Sequence, residues 1–244
     1  YIAVSPLLSF FYITMSKFSF KKSAQSQEDT PIDIQNQIVL DPFNSLNQFI
    51  TAKEVSDILA KVGIEYIPHD LSLIQRAFIH KTYTQDFVDL QLMKYKNMSL
   101  AENTNGAMPL QKKSYERLEF LGDSVVGLTA VSYLWTRFFD QGEGVMTRLK
   151  SRLVNTTALA NFAEYLGLDR FIILSKQLEE KNMGRKTSNI MEDVFEAFIG
   201  ALYEDINNQA EENEDEIESG KGYEICRRFI VEIMEEEVDF ENLI

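Results

Sequence analysis

The sequence predicts an all-α domain. Three observations predict it: the apolar residues of the two longest hydrophobic runs recur at helical spacing, helix start and stop signals punctuate the chain around them, and no stretch from Asp70 onward alternates as a half-buried strand would. At 244 residues there is room for one sizeable helical bundle plus extensions, and no internal repeat divides the chain into an array.

Taken in order, Tyr1 to Thr14 is apolar and aromatic but too short to span a bilayer and without a basic leader, so no membrane partner is expected. Met15-Ser16-Lys17 reads as a natural start. Phe18 to Leu40 is polar and aperiodic, which makes residues 1–40 a leader and mobile arm. Structure is expected to resume near Asp41, with residues 41–69 as an N-terminal helical extension. Thr51 and Glu54 fit a capping box, Val55, Ile58, Leu59 and Val62 follow at helical spacing, and Gly63 is the stop.

The main domain then runs over 70–244, opening with an apolar face of Leu71, Ile74, Ala77 and Phe78. The adjacent His69-Asp70 pair suggests a metal phosphohydrolase of the HD class, but that chemistry needs more histidines than His69 and His80. Residues 86–113, rich in Lys, Asn and Gln, read as an insertion. Within it Gly106 to Ser114 loosely matches a phosphate-binding loop, yet Gln111 stands where the second glycine is required, so nucleotide binding is excluded. A long helix follows through Val131, Leu134, Trp135 and Phe138, broken at Gly142-Glu143-Gly144, where another begins. Asn155 or Thr156 caps the next, with Leu159, Phe162, Ala163 and Leu166 inward and Gly167 as its end. Residues 205–222 read as a disordered acidic loop. A last helix from Gly222 buries Ile225, Phe229, Ile233 and Met234.

Charge is the first functional constraint. Lys and Arg number 24 against 38 Asp and Glu, a net charge of −14, which is the wrong sign for gripping nucleic acid by diffuse attraction. Much of that acidity sits in 204–218 and 232–241. Basic groups gather at Lys112, Lys113 and Arg117, at Arg148, Lys150 and Arg152, and at Lys176, Lys181, Arg185 and Lys186; most read as solvated helix faces, with one cluster reaching phosphate. The single cysteine, Cys226, excludes an internal disulfide and a thiolate zinc site, fits a reducing, cytoplasmic compartment, and reads as a small buried hydrophobe.

Two acidic runs carry the chemistry. In Tyr115 to Gly127, Glu119 and Asp123 are four apart and share a helix face, beside an apolar stripe of Leu118, Leu121, Val125 and Leu128. In Asn189 to Tyr203, Asp193 and Glu196 are three apart, beside Ile190, Val194, Ala197 and Ala201. If the two helices oppose these faces, four carboxylates converge, and their repulsion raises their pKa values unless a cation sits among them. Hard oxygen ligands suit Mg²⁺, with Mn²⁺ as a substitute, in preference to Zn²⁺.

The run Glu116-Arg117-Leu118-Glu119-Phe120-Leu121-Gly122-Asp123-Ser124, with Asp193-Val194-Phe195-Glu196-Ala197 as a second motif, resembles the signature of the ribonuclease III family. Ala77 to Tyr83, and Gly142-Glu143-Gly144 leading into Arg152 to Asn155, extend the resemblance from roughly Asp70 to the C-terminus. It implies the ribonuclease III endonuclease fold, a helical bundle. It also implies Mg²⁺-dependent hydrolysis of double-stranded RNA to 5′-phosphate and 3′-hydroxyl ends, with Glu119, Asp123, Asp193 and Glu196 as catalytic metal ligands. Glu116 and Glu143 match accessory acidic positions, His80 a structural histidine, and Phe120 an aromatic of the homodimer contact. Glu192 departs from the pattern, replacing a small residue, and is expected on a different helical face from the site.

The family adds a double-stranded-RNA-binding domain where this sequence ends, so weak, salt-sensitive binding or a separate RNA-binding partner is expected. The overall arrangement is most similar to minimal forms from large DNA viruses, which would place it in the host cytoplasm. The competing readings are a catalytically inactive, ribosome-associated member of the same fold and a module whose acidic loop recruits a basic protein. The filled acidic positions favour the nuclease.

Overall fold

The computed structural model describes residues 38–240 apart from 103, 105, 182–183 and 213–219. The arm expected at 1–40 therefore lies outside the described residues up to position 37. Its last three residues, Ile38–Leu40, instead form a strand (β1) that pairs in parallel with Met98–Leu100 (β2), Ile38 opposite Met98. Three residues are too few to show alternation, which is why this pair escapes the sequence.

The remaining architecture is helical. Ala52–Ala60 (α1) starts at the expected capping box: the Thr51 hydroxyl accepts from the Glu54 amide and the Glu54 carboxylate accepts from the Thr51 amide at 2.9 Å. Asp70 caps Leu71–Arg76 (α2) by accepting from the amides of Ser72 and Leu73. Gln85–Lys94 (α3) and β2 give regular structure to the stretch 86–113 that the sequence suggests is an insertion. Then come Glu116–Arg137 (α4), Glu143–Leu153 (α5) and Thr156–Leu166 (α6), the last capped by the Asn155 side chain. Gly167 ends α6 at φ +73°, a left-handed conformation that a side chain would strain. Lys176–Glu179 (α7), Ser188–Glu212 (α8) and Lys221–Glu237 (α9) complete the chain. No helix among the described residues is long and apolar enough to cross a membrane.

The acidic loop expected at 205–222 is shorter than its composition suggests, because α8 continues to Glu212 and α9 resumes at Lys221. Asp205 and Ile206 are buried within α8. The Asp205 carboxylate is paired: it accepts from the Tyr66 hydroxyl and from the backbone amides of His69 at 2.9 Å and Asp70 at 2.6 Å. A buried charge with three donors is tolerable where an unpaired one is not. Residues 213–219 lie outside the described set.

α8 is the central helix. Its apolar residues point in several directions, and α4, α6 and α9 all pack on it. The tightest contact is with α4, at two glycines. A Cβ on Gly122 would lie 1.8 Å from the carbonyl oxygen of Glu196, and one on Gly200 would lie 2.1 Å from the carbonyl oxygen of Leu118. The helices touch backbone to backbone, so neither site has a movable side chain to absorb an added methyl. Gly122→Ala or Gly200→Ala should destabilise the fold by more than about 3 kcal/mol, because the obstruction is main chain. Chemical denaturation checks this; a loss under about 1 kcal/mol would mean that the helices cross more loosely than described.

Candidate active site

Because Gly122 rests on the Glu196 carbonyl, the crossing sets the acids of α4 against those of α8. Glu119 lies one turn before the contact and Asp123 directly after it; Asp193 lies one turn before Glu196. Glu119 and Asp193, from opposite helices, line one cavity of about 350 Å³, together with Glu116, Tyr115, His80 and Lys81. Glu196 is 9% exposed and Asp123 is on the open side of the seam.

The electrostatics describe one mutually repelling cluster. Burial first, then Asp123, Glu192, Glu119 and Asp193, push the Glu196 carboxyl up to about 8. Burial, then Asp193 and Glu116, push Glu119 up to about 7. Burial also raises Asp193, opposed by the Tyr115 hydroxyl, which donates to Asp193 Oδ2 at 2.8 Å. As the side chains stand, no three acidic, histidine or cysteine groups among the described residues meet closely enough to hold a metal ion. The acids share a field without sharing a point.

The donors nevertheless fit a hard divalent cation. The repelling acids offer carboxylate oxygen alone, and neutralising their charge would offset the repulsion that burial magnifies. His80, on the wall of the same cavity, is held otherwise: its Nδ1 accepts from the Thr82 amide at 3.2 Å, and burial lowers its pKa to about 4, leaving it neutral. That is the structural role expected of it.

Of the accessory acids, Glu116 lies on the cavity wall, where Lys81 pairs with it at 3.1 Å and holds its carboxyl below the usual range. Glu143 does not reach that wall; its carboxylate accepts from the Thr147 hydroxyl of its own helix at 2.9 Å. Phe120 is 78% exposed, which rules out a core role. Glu192 is a correction: it lies close enough to Glu196 and Asp123 to join the cluster, with the Thr156 hydroxyl as a partner. Its four-residue spacing from Glu196 was the available signal. Tyr115 and Lys81 were missed as well, and nothing local marks a tyrosine whose partner is 78 positions away.

A mostly helical domain with a carboxylate-lined cavity where its two longest helices cross defines the class of protein. The sequence agrees: residues 116–207 match the family model for the ribonuclease III domain. It is 36% identical over 156 residues to ribonuclease 3 of Latilactobacillus sakei, covering 64% of this chain and 58% of that protein. A probable ribonuclease 3 of Acanthamoeba polyphaga mimivirus is 29% identical over 220 residues, covering 88% of this chain and 36% of that protein. The chain thus spans only part of the length of these relatives. The nuclease domain of ribonuclease III from Campylobacter jejuni superposes with a TM-score of 0.54 at 25% identity, covering 77% of this chain and 97% of that one.

The raised carboxyls set a pH dependence. An acid whose pKa rises on folding favours the folded state below its unfolded value, near 4.5, and loses that contribution as pH climbs through the folded value, about 7 for Glu119 and about 8 for Glu196. In chelator, the melting temperature should therefore fall between pH 5 and pH 8.5, and Glu196→Gln should flatten that fall. A melting temperature that rises steadily across this range would contradict the cluster.

Proposed function

We propose that the protein is an endoribonuclease that hydrolyses double-stranded RNA with a divalent cation, Mg²⁺ or Mn²⁺, leaving 5′-phosphate and 3′-hydroxyl ends. The observation that carries this reading is the opposition of Glu119 and Asp123 on α4 to Asp193 and Glu196 on α8 within a ribonuclease III domain. These four side chains would hold the cation, which when bound lowers the pKa of a water for in-line attack and stabilises charge on the leaving 3′ oxygen. Glu196 is fixed by the glycine crossing beneath it. Asp193 is oriented by Tyr115, whose hydroxyl donates to its Oδ2 at 2.8 Å. A-form duplex offers a wide minor groove with 2′-hydroxyls, so recognition by shape suits a protein whose net charge is −14.

The working unit in this reading is a homodimer. Phe120, Leu128, Val131 and Trp135 lie on one side of α4 and are 78%, 55%, 44% and 75% exposed. Such a row on a helix is costly in water and suits a two-fold pairing of like surfaces. The Campylobacter jejuni nuclease domain has itself been described as having a region involved in dimer formation.

Two outcomes test the proposal. Glu196→Gln should keep the fold yet lose at least about 100-fold in Mg²⁺-dependent cleavage of a long RNA duplex, since even outer partners of metal ligands cost ~10–100-fold. Unchanged cutting would overturn the assignment. In sedimentation the wild type should run as two chains, and Phe120→Ala combined with Trp135→Ala should run as one; a wild type that sediments as a monomer would remove the dimer from the reading.

A further inference from the structure

We propose that the cleft between α3 and the start of α4 binds the phosphodiester backbone of RNA that continues past the acidic cavity. This rests on the nuclease reading for its substrate, but on separate residues for its site. The cleft, of about 410 Å³, gathers Arg76, Lys81, Lys112, Lys113 and Arg117, against only Asp86 and Glu116. In a chain of net charge −14, that local excess of cations runs against the average of the molecule.

Apart from Lys81, these cations are not consumed by ion pairs among the described residues. Glu116 is already paired with Lys81 and also accepts from the Ser114 hydroxyl at 3.1 Å. Lys112, Lys113 and Arg117 are exposed and form no ion pair with any other described residue. Arg76 gives its Nε to the Ser114 carbonyl at 3.0 Å, which leaves the rest of its guanidinium for another acceptor. Burial first and then the nearby Arg117 disfavour the charge on Arg76, a cost that an anion between the two would reduce.

The lysines are also held in place. They follow a segment tied to the domain by main-chain bonds: Gln85 N–H to the Gln111 carbonyl at 2.9 Å, and Gln111 N–H to the Tyr83 carbonyl at 3.0 Å. The Tyr83 hydroxyl donates to the Met108 carbonyl at 2.7 Å. Lys81 and Glu116 line both this cleft and the acidic cavity, so the two are contiguous. A polymer with a charge at every residue can occupy both at once, its scissile phosphate at the acids and its neighbours at the cations. This favours a nucleic-acid strand over a small anion. The 86–113 insertion would then supply grip that the chain's overall charge denies it.

The test measures binding of a blunt 30-base-pair RNA duplex by fluorescence anisotropy in Ca²⁺ across a KCl series. Lys112→Gln with Lys113→Gln should weaken binding by roughly tenfold and reduce the slope of log K against log[KCl] by about 1–2, as expected for losing one or two phosphate contacts. Arg117→Gln should reduce the slope further. The control, Lys53→Gln with Arg227→Gln, removes the same charge from other surfaces and should leave the slope unchanged. All four side chains of these pairs are exposed, and an unaltered melting curve confirms that the variants fold.

If the cleft variants and the control shift alike, or the cleft variants bind as the wild type does, the inference is overturned even where the wild type cuts duplex RNA with Mg²⁺. If the slope falls but the wild type never cuts, the cleft stands and the nuclease reading falls. Failure of the wild type to bind the duplex at all overturns both.

Discussion

The structure depends on one contact, the main-chain crossing of α4 and α8 at Gly122 and Gly200. Side chains on either helix would force the axes apart by the width of a residue, and the carboxylates would then answer to water instead of to each other. Because the Glu196 carbonyl itself is the surface on which Gly122 rests, packing and site geometry are one constraint. The acidic cluster is held at short range by atoms that have no rotamers to change.

That arrangement concentrates unfavourable energy where chemistry is proposed. Burial and mutual repulsion raise Glu119, Asp193 and Glu196 together, whereas acids elsewhere in the chain, such as Glu54 and Asp70 at helix starts, are lowered by the hydrogen bonds they accept. The protein therefore separates carboxylates that stabilise the fold from carboxylates that burden it. In the proposed reading a cation is the counterpart of the second set, and the hydrogen bond from Tyr115 holds the Asp193 carboxylate still.

Much of the helical framework was legible in the sequence because its signals are local. The capping box at Thr51, the Asn155 cap and the Gly167 stop each involve residues within one turn of each other, and each falls where periodicity placed it. The acidic pairs were legible for the same reason, since spacing of three or four fixes a shared face. What escaped was long-range. Composition made Asp205 part of a solvated loop, but its partners at Tyr66, His69 and Asp70 come from far up the chain. Reading Glu192 against its neighbour Asp193 and not against Glu196 hid its membership of the cluster.

The buried Asp205 carboxylate has one more implication, for where this molecule begins and ends as a physical object. Tyr66, His69 and Asp70 are what keep that charge compensated, and Ile50, Val55, Leu59 and Ile64 belong to the same apolar core as α8. The span matched by the family model, 116–207, includes the carboxylate and none of its donors. A gene trimmed to that span would encode an orphaned anion inside an unroofed helix. The smallest autonomous piece is thus larger than the stretch the family model matches, and the upstream residues are part of the foundation on which the signature stands.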